Sequence, residues 1–499
     1  MDPLQGLAYG FGVALSGENL LACVIGVSIG TVVGILPGIG PIGAMALLIP
    51  STFALGPTTA LIMLAGIYYG SMYGGSTTTI LLNVPGEAAS VVTAIDGYQM
   101  ARKGRGGAAL AVSAVGSFVA GTLGIVALML FAPLLAEAAL RFGPPEYFAL
   151  TLVGLILLSR LGGGAPLKSF LMVGVGLLLG TVGMEPISGL PRFTLGQLPL
   201  AQGVELIPVG VGLYGVAEVL MIAERITGIP EVLRVKFREL FPTRSEWKRS
   251  SLPMVRGSAV GFVIGLIPGP ATILSTFTAY ALEKKISRHP EEFGKGAIEG
   301  VAGPEAANNS ATAGAMVPLL ALGVPFAPAT AMLLGALIIH GVQPGPLLMT
   351  QQPEIFWGVV ASMYVGNFVL LILNLPLVGV FASILRLPQY FLMGLVLLLC
   401  LVGTYSVNNS FLDLYILVGM GVVGYFLRKL RFDLAPLILA LVLGPMLERT
   451  LRQSLFMSRG DVWTIVSRPI TAVLLAVGVA ALVLPVFLRR RGVARPVHP

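Results

Sequence analysis

Apolar stretches recur along the whole chain, punctuated by short polar or basic segments. They lie near residues 11–36, 41–55, 58–84, 108–135, 147–160, 166–183, 203–223, 254–282, 311–340, 355–385, 388–403, 411–427, 434–447 and 469–488. A spanning helix needs about 20 such residues to match the hydrocarbon core. Several segments are shorter, which predicts half-spans or re-entrant pieces among about 11 to 13 crossings. Between Glu18 and Glu87 there is no Asp, Glu, Lys or Arg. A charge at the centre of a spanning helix costs roughly 2.5–3.5 kcal/mol, so a charge-free run of this length belongs in lipid. The pattern predicts an all-α, polytopic transmembrane helical bundle.

Composition strengthens that expectation. Of 499 residues, 56% are hydrophobic and 11% charged, against about 25% charged in a soluble domain. The formal net charge of +8 raises the question of a nucleic-acid partner, but the basic residues cluster in short connections. These are Arg102-Lys103-Gly104-Arg105, the stretch Arg225 to Arg249, Lys284-Lys285, Arg428-Lys429-Leu430-Arg431 and Arg489-Arg490-Arg491. That distribution follows the positive-inside rule for cytoplasmic loops and points to a lipid bilayer, with no nucleic acid. Arg428–Arg431, Glu448–Arg452 and Arg489–Arg491 cannot all be cytoplasmic if single crossings separate them. A re-entrant piece or an externally placed arginine has to resolve this. Cys23 and Cys400 both lie in apolar segments, which argues against a disulfide, and no metal-ligand spacing or cofactor motif occurs. The N-terminus lacks the basic start of a cleaved signal peptide and is expected to remain.

A glycine pattern occurs twice. Gly26-x3-Gly30-x3-Gly34-Ile35-Leu36-Pro37-Gly38 returns as Gly257-x3-Gly261-x3-Gly265-Leu266-Ile267-Pro268-Gly269. Small residues four apart let membrane helices approach closely. Gly74-Gly75-Ser76-Thr77-Thr78 resembles Asn308-Asn309-Ser310-Ala311-Thr312. Leu82-Asn83-Val84-Pro85, followed by Ala88-Ala89-Ser90, resembles Leu322-Gly323-Val324-Pro325, followed by Pro328-Ala329-Thr330. Two repeats are expected, over 16–135 and 254–385, with connecting helices and a basic segment over 136–253 and C-terminal helices with a basic tail over 386–499. Their loops carry opposite charge. Ser51–Pro57 is uncharged where Glu283–His289 is basic, and Arg102–Arg105 is basic where His340–Gln352 has no Lys or Arg. Equivalent loops on opposite faces predict inverted repeats, a common transporter plan with its site at the repeat interface.

Pro37-Gly38-Ile39-Gly40-Pro41 and Pro268-Gly269-Pro270 cannot continue a regular helix. Interrupted backbone at membrane depth needs protein or a water-filled cavity around it. It also exposes helix N-termini that favour anions and carbonyls that favour cations; the bland alternative is a kink or surface turn. The uncharged polar clusters beside the breaks suit a carboxylate together with a partly dehydrated cation. The alternative for them is helix–helix glue worth about 1 kcal/mol or less. The expected substrate-binding set is Gly38, Gly40, Ser76, Thr77, Thr78, Asn83, Gly269, Asn308, Asn309, Ser310 and Thr312. Cation coupling is expected at Glu305, Gly38, Gly269 and Asn309. Glu305 is open to proton coupling, cation ordering or capping of the helix that carries Asn308. Asp96 reads as interfacial and His340 as a boundary side chain. With histidines only at 289, 340 and 498, no nucleophile–base constellation for an enzyme is visible.

These residues resemble the large membrane subunit, TctA, of the tripartite tricarboxylate transporters. The resemblance rests on Gly34-Ile35-Leu36-Pro37-Gly38-Ile39-Gly40-Pro41, Tyr68-Tyr69-Gly70-Ser71-Met72-Tyr73-Gly74-Gly75-Ser76 and Asn83-Val84-Pro85-Gly86. It continues through Asp96-Gly97-Tyr98, Pro304-Glu305-Ala306-Ala307-Asn308-Asn309 and Gly341-Val342-Gln343-Pro344-Gly345-Pro346. Leu443-Gly444-Pro445, Glu448-Arg449 and Leu451–Leu455 extend it. The resemblance implies a permease of the bacterial inner membrane, driven by a Na+ or H+ gradient rather than ATP. It would work with a small four-helix membrane subunit and a periplasmic solute-binding protein that delivers a tri- or dicarboxylate. Phe326 stands after Pro325 where the family often has glycine. The competing readings are a passive channel, a membrane-embedded enzyme and a scaffold.

Overall fold

The computed structural model describes residues 2–36, 40–161, 165–185, 188–224, 237–383 and 389–490. The N-terminal part comprises α1 (Pro3–Ala14), α2 (Gly17–Ile35), α3 (Gly40–Leu48), α4 (Pro57–Leu82), α5 (Val91–Met100) and α6 (Gly106–Ala139). Then come α7 (Pro144–Leu161), α8 (Pro166–Gly180) and the antiparallel pair β1 (Gly183–Met184) and β2 (Pro191–Arg192). α9 (Leu206–Glu224) contains a π-helical turn at Val211–Val216. The second glycine pattern opens the next group: α10 (Arg244–Gly265), α11 (Ala271–Ile286), α12 (Glu299–Leu322), α13 (Pro328–Ile339) and α14 (Pro353–Asn374). α15 (Gln389–Asn408), α16 (Phe411–Lys429), α17 (Ala435–Met457) and α18 (Pro469–Arg490) complete the bundle. α4, α13 and α14 start on proline, which lacks the amide hydrogen a first helical turn leaves unused.

Five helices among the described residues are both long and apolar enough to cross a membrane, with shorter apolar helices besides. That is fewer than the 11 to 13 crossings expected from apolar runs. α4 and α12 have the length, but glycine, hydroxyl and amide side chains dilute their hydropathy. Both are almost wholly buried by other helices, so their polar groups meet protein rather than lipid.

α2 packs against α4 through its glycines. A Cβ at Gly26, Gly30 or Gly34 would lie 2.3, 2.6 or 2.2 Å from the carbonyl oxygens of Met63, Ile67 and Ser71. α10 meets α12 in the same manner. A Cβ at Gly257, Gly261 or Gly265 would lie 2.2, 2.2 or 2.5 Å from the carbonyls of Gly303, Ala307 and Ala311. From the other side, Gly74 abuts the Thr31 carbonyl and Gly314 that of Phe262. α4 and α12 both end on a left-handed residue, Asn83 (φ 57°) and Gly323 (φ 70°). This packing register equates Gly74 with Gly314. It corrects the alignment of Gly74–Thr78 with Asn308–Thr312, because Asn308 sits about 1.7 turns before Gly314. Similar polar composition had masked that offset.

The chain leaves helix at both glycine-pattern ends. α2 stops at Ile35, Leu36 is extended, and α3 starts at Gly40 with φ 62°. Gly38 lies outside the described residues. In the second case α10 stops at Gly265, and Gly269 takes φ 145°, a conformation open to glycine, before α11 starts.

Connections sort into two groups. Thr52 contacts His340 (3.0 Å) and Thr58 donates to Glu354 (3.4 Å), joining the turn after α3 to the turns around α14. Elsewhere Lys103 Nζ donates to the Lys295 carbonyl (2.5 Å), Arg105 pairs with Glu246, and Arg249 pairs with Glu292 and Glu299. Ser51–Pro57 thus meets His340, and Arg102–Arg105 meets Glu246 and Lys295. At the C-terminal end, Arg192 and Arg452 both pair with Glu448 at 2.8 Å, and Arg452 also reaches Glu185. About 20–25 Å of α17 separates this network from Arg428–Arg431, at 1.5 Å rise per residue. The Glu448–Arg452 network and Arg428–Arg431 thus lie at opposite ends of α17.

Candidate functional site

Both helix interruptions face one cavity of ≈ 400 Å³, within the range of about 300–1,000 Å³ usual for small-molecule sites. Gly40 and Pro41 border it from the first, Gly269 and Pro270 from the second. The turns after α4 (Pro85, Gly86, Glu87) and after α12 (Ala327, Pro328) close two further sides. Tyr214, Glu218, Arg428, Asp433 and Ala435 supply the remaining wall. α3, α11, α13 and α17 therefore all begin at this cavity. Helix N-termini carry a partial positive charge and favour anions, while Glu87, Glu218, Asp433 and Arg428 bring side-chain charge to the same wall. Gly269 N–H donates to the Phe326 carbonyl (3.0 Å), tying the second break to the turn after α12.

The expected polar residues lie deeper, in the seam where α4 and α12 meet α5 and α6. None of Ser76, Thr77, Thr78, Asn308, Asn309, Ser310 or Thr312 is part of the cavity wall. Glu305, 1% exposed, is the centre of this seam. Its carboxylate accepts hydrogen bonds from Ser76 on α4, Thr93 on α5 and Ser113 on α6. It sits inside α12, well past the first turn, so helix capping is excluded; Glu299 occupies that turn. Hydrogen bonds to a charged group contribute about 1.5–3 kcal/mol each, and a buried charge needs such partners.

Asn308 Nδ2 donates to Glu87 (2.7 Å), and Asn309 Nδ2 donates to Ser117 Oγ (2.7 Å) and to the Glu305 carbonyl (3.1 Å). Thr78 Oγ1 donates to the Ile35 carbonyl (2.6 Å), satisfying the last turn of α2 just before the break. Thr312 Oγ1 donates back to the Asn309 carbonyl (2.5 Å). Ser310 Oγ and Asn308 Oδ1 are buried without a hydrogen-bond partner. Asn309 and Thr312 also border a small void with Tyr73 and Asn367, which bond to each other. Asn83 is exposed and shapes the end of α4.

Several residues escaped the sequence reading. Asp96 is fully buried within the protein. It accepts from the backbone N–H groups of Gly294, Gly296 and Ala297 (2.8, 2.7 and 2.9 Å) and from Tyr280. Arg428 hid in a basic tract, although it pairs with Glu218 and lies 5.6 Å from the centre of the Tyr214 ring. Thr93, Ser113 and Ser117 carried no signal, since single hydroxyls inside apolar helices are common. His340 contacts Thr52 at the end of α13 (3.0 Å).

Residues 20–439 match the model of the tripartite tricarboxylate transporter TctA family. The chain belongs to that family. It is also 47% identical over 488 residues to an uncharacterized 52.8 kDa protein of Agrobacterium vitis from the 3′ region of ttuC′ in TAR-I, covering 97% of this chain and 96% of that one. A second uncharacterized Agrobacterium vitis protein, from the 3′ region of ttuC′ in TAR-II, is 45% identical over 224 residues, 45% of this chain and 93% of its own length. No solved structure matches. As a TctA-family member, this is a multi-pass membrane transporter subunit of a tripartite system and not an enzyme.

Within this TctA-family chain, the departure at Phe326 has a physical explanation. Gly86, at the same place after α4, admits no side chain, because a Cβ would meet the Gly34 carbonyl at 2.1 Å. After α12, the Phe326 side chain is buried in an apolar cluster with Leu322 and Val324.

Proposed function

We propose that this TctA-family chain is the permease of a bacterial inner-membrane secondary transporter that imports a tri- or dicarboxylate by cation symport. A small four-helix membrane subunit and a periplasmic solute-binding protein are its partners in this reading. The transported carboxylate occupies the cavity between the two helix interruptions, where four helix N-termini converge. That convergence carries the reading: helix N-termini favour an anion, and interrupted backbone at membrane depth is tolerated where it borders such a cavity.

The halves, 16–135 and 254–385, are taken as inverted repeats. Their matched glycine seams and matched left-handed helix ends support common descent. Inversion is supported by the meeting of Thr52 with His340 and of Lys103 with Lys295. In such a pair, rocking one half against the other exposes the cavity alternately to each side. The seam of Glu305, Ser76, Asn309 and Ser117 holds the α4 and α12 sides together and transmits that motion. The boundary at 253/254 falls within α10, so the second unit is better begun at Arg244.

Reconstitution with both partner subunits tests this. Uptake of a radiolabelled tricarboxylate or dicarboxylate should accumulate substrate against its gradient when a Na+ or H+ gradient is imposed, and stop when that gradient is collapsed. Equilibration without a gradient would indicate a channel instead.

A further inference from the structure

The cavity wall carries three carboxylates, those of Glu87, Glu218 and Asp433, and one cationic side chain, Arg428. Two of the three are balanced locally. Glu218 is ion-paired with Arg428. Asp433 accepts from the N–H of Ala435 at the start of α17 (3.0 Å), where the helix dipole favours a negative charge. Glu87 is different. It has no cationic partner among the described residues, and Asn308, 1% exposed, bonds it through Nδ2 at 2.7 Å. The other end of that amide, Oδ1, is buried with no hydrogen-bond partner. Glu87 thus borders the cavity, and the unsatisfied amide oxygen of its partner Asn308 lies buried in the adjoining seam.

We infer that Glu87 and Asn308 form the binding site of the coupling cation, a small monovalent ion of the Na+ type, which neutralises Glu87 before the carboxylate enters. This rests on the permease reading of the cavity. The donor chemistry is all oxygen, as hard cations require. An ionised Glu87 would repel an incoming carboxylate at short range in a poorly screened site, whereas an occupied site attracts it. Strict coupling follows, since neither ion occupies the cavity comfortably without the other. The pair also joins the two halves, with Glu87 in the turn after α4 and Asn308 on α12, so the cation bears on the element that moves. Glu305 is less suited to this task, because three hydroxyl donors already satisfy its carboxylate.

The test is thermal stability of the purified full chain in detergent against NaCl, with choline chloride holding ionic strength constant. Wild-type protein should be stabilised saturably by Na+ over choline. Glu87→Gln and Asn308→Ala should each weaken the apparent Na+ affinity at least tenfold, while Glu291→Gln, on an exposed turn, should not. Glu87→Asp should retain part of the response, and serves if Glu87→Gln fails to fold. An unchanged Na+ response in Glu87→Gln, or a wild-type response to pH but not to Na+, overturns the assignment. Because the assay needs no transport, Na+ binding at Glu87 without carboxylate uptake would refute the permease reading alone.

Discussion

At the scale of single residues, burial and hydrogen-bond supply decide what each polar group does. Asn309 is 3% exposed and uses one amide group to hold both Ser117 and the Glu305 backbone. Asn309→Ala leaves these groups unsatisfied, at about 1–3 kcal/mol. It should abolish uptake in the reconstituted system while membrane insertion, read by protease protection, stays normal; undiminished uptake removes Asn309 from the mechanism. Asp96 offers a cleaner structural test. Its carboxylate gathers three backbone N–H groups before α12, and Asp96→Asn removes the charge that strengthens those bonds. Hydrogen exchange at 294–297 should accelerate about tenfold or more, for a loss of about 1.5 kcal/mol. Sequence could point to Glu305, because an acid in an apolar run is conspicuous. It could not supply the partners, since Ser76, Thr93 and Ser113 converge from three helices only after folding. The partners of Asp96 were hidden for the same reason: its backbone donors lie about 200 positions away.

At the scale of helices, the two glycine seams are the strongest determinants of geometry. Spacing alone revealed them, because every fourth position faces the same neighbour. Their partner surfaces were less legible, and composition suggested a register that close packing overrides. Gly261 shows the force of that constraint, its missing side chain leaving room for the Ala307 carbonyl. Gly261→Ala should lower stability by about 1–3 kcal/mol through overpacking. Gly12→Ala on α1, where a Cβ meets nothing within 4 Å, should be neutral or stabilising by up to about 1 kcal/mol. Thermal melting in detergent separates them, and equal melting temperatures would mean that the helices do not approach so closely. The same packing explains why α4 and α12 are absent from the five long apolar spans. Hydropathy treats α4 and α12 as weak spans, yet they occupy the protein interior.

At the scale of the whole molecule, charge placement along the sequence forecast which ends of the bundle meet. Ser51–Pro57 and His340–Gln352 are poor in charge and touch through Thr52 and His340; Arg102–Arg105 touches the chain at Lys295, six residues past the basic Glu283–His289. Loop charge bears on topology because the membrane acts on loops one by one. The cavity was readable only in part. Its two interruptions announced themselves through Pro and Gly, while the wall built by α9, α16 and α17 did not, because Tyr214, Glu218 and Arg428 belong to segments with no matching motif.

The central claim is that two oppositely oriented halves enclose one anion site, and side-specific labelling addresses it most directly. Single cysteines at Phe53, Thr350, Lys103 and Lys284, in a Cys23→Ala, Cys400→Ala background, would be probed with a membrane-impermeant thiol reagent in spheroplasts and in inside-out vesicles. Phe53→Cys and Thr350→Cys should label from the periplasmic side, Lys103→Cys and Lys284→Cys from the cytoplasmic side. Labelling of Phe53→Cys and Lys284→Cys from the same side would contradict inversion, and the mechanism with it.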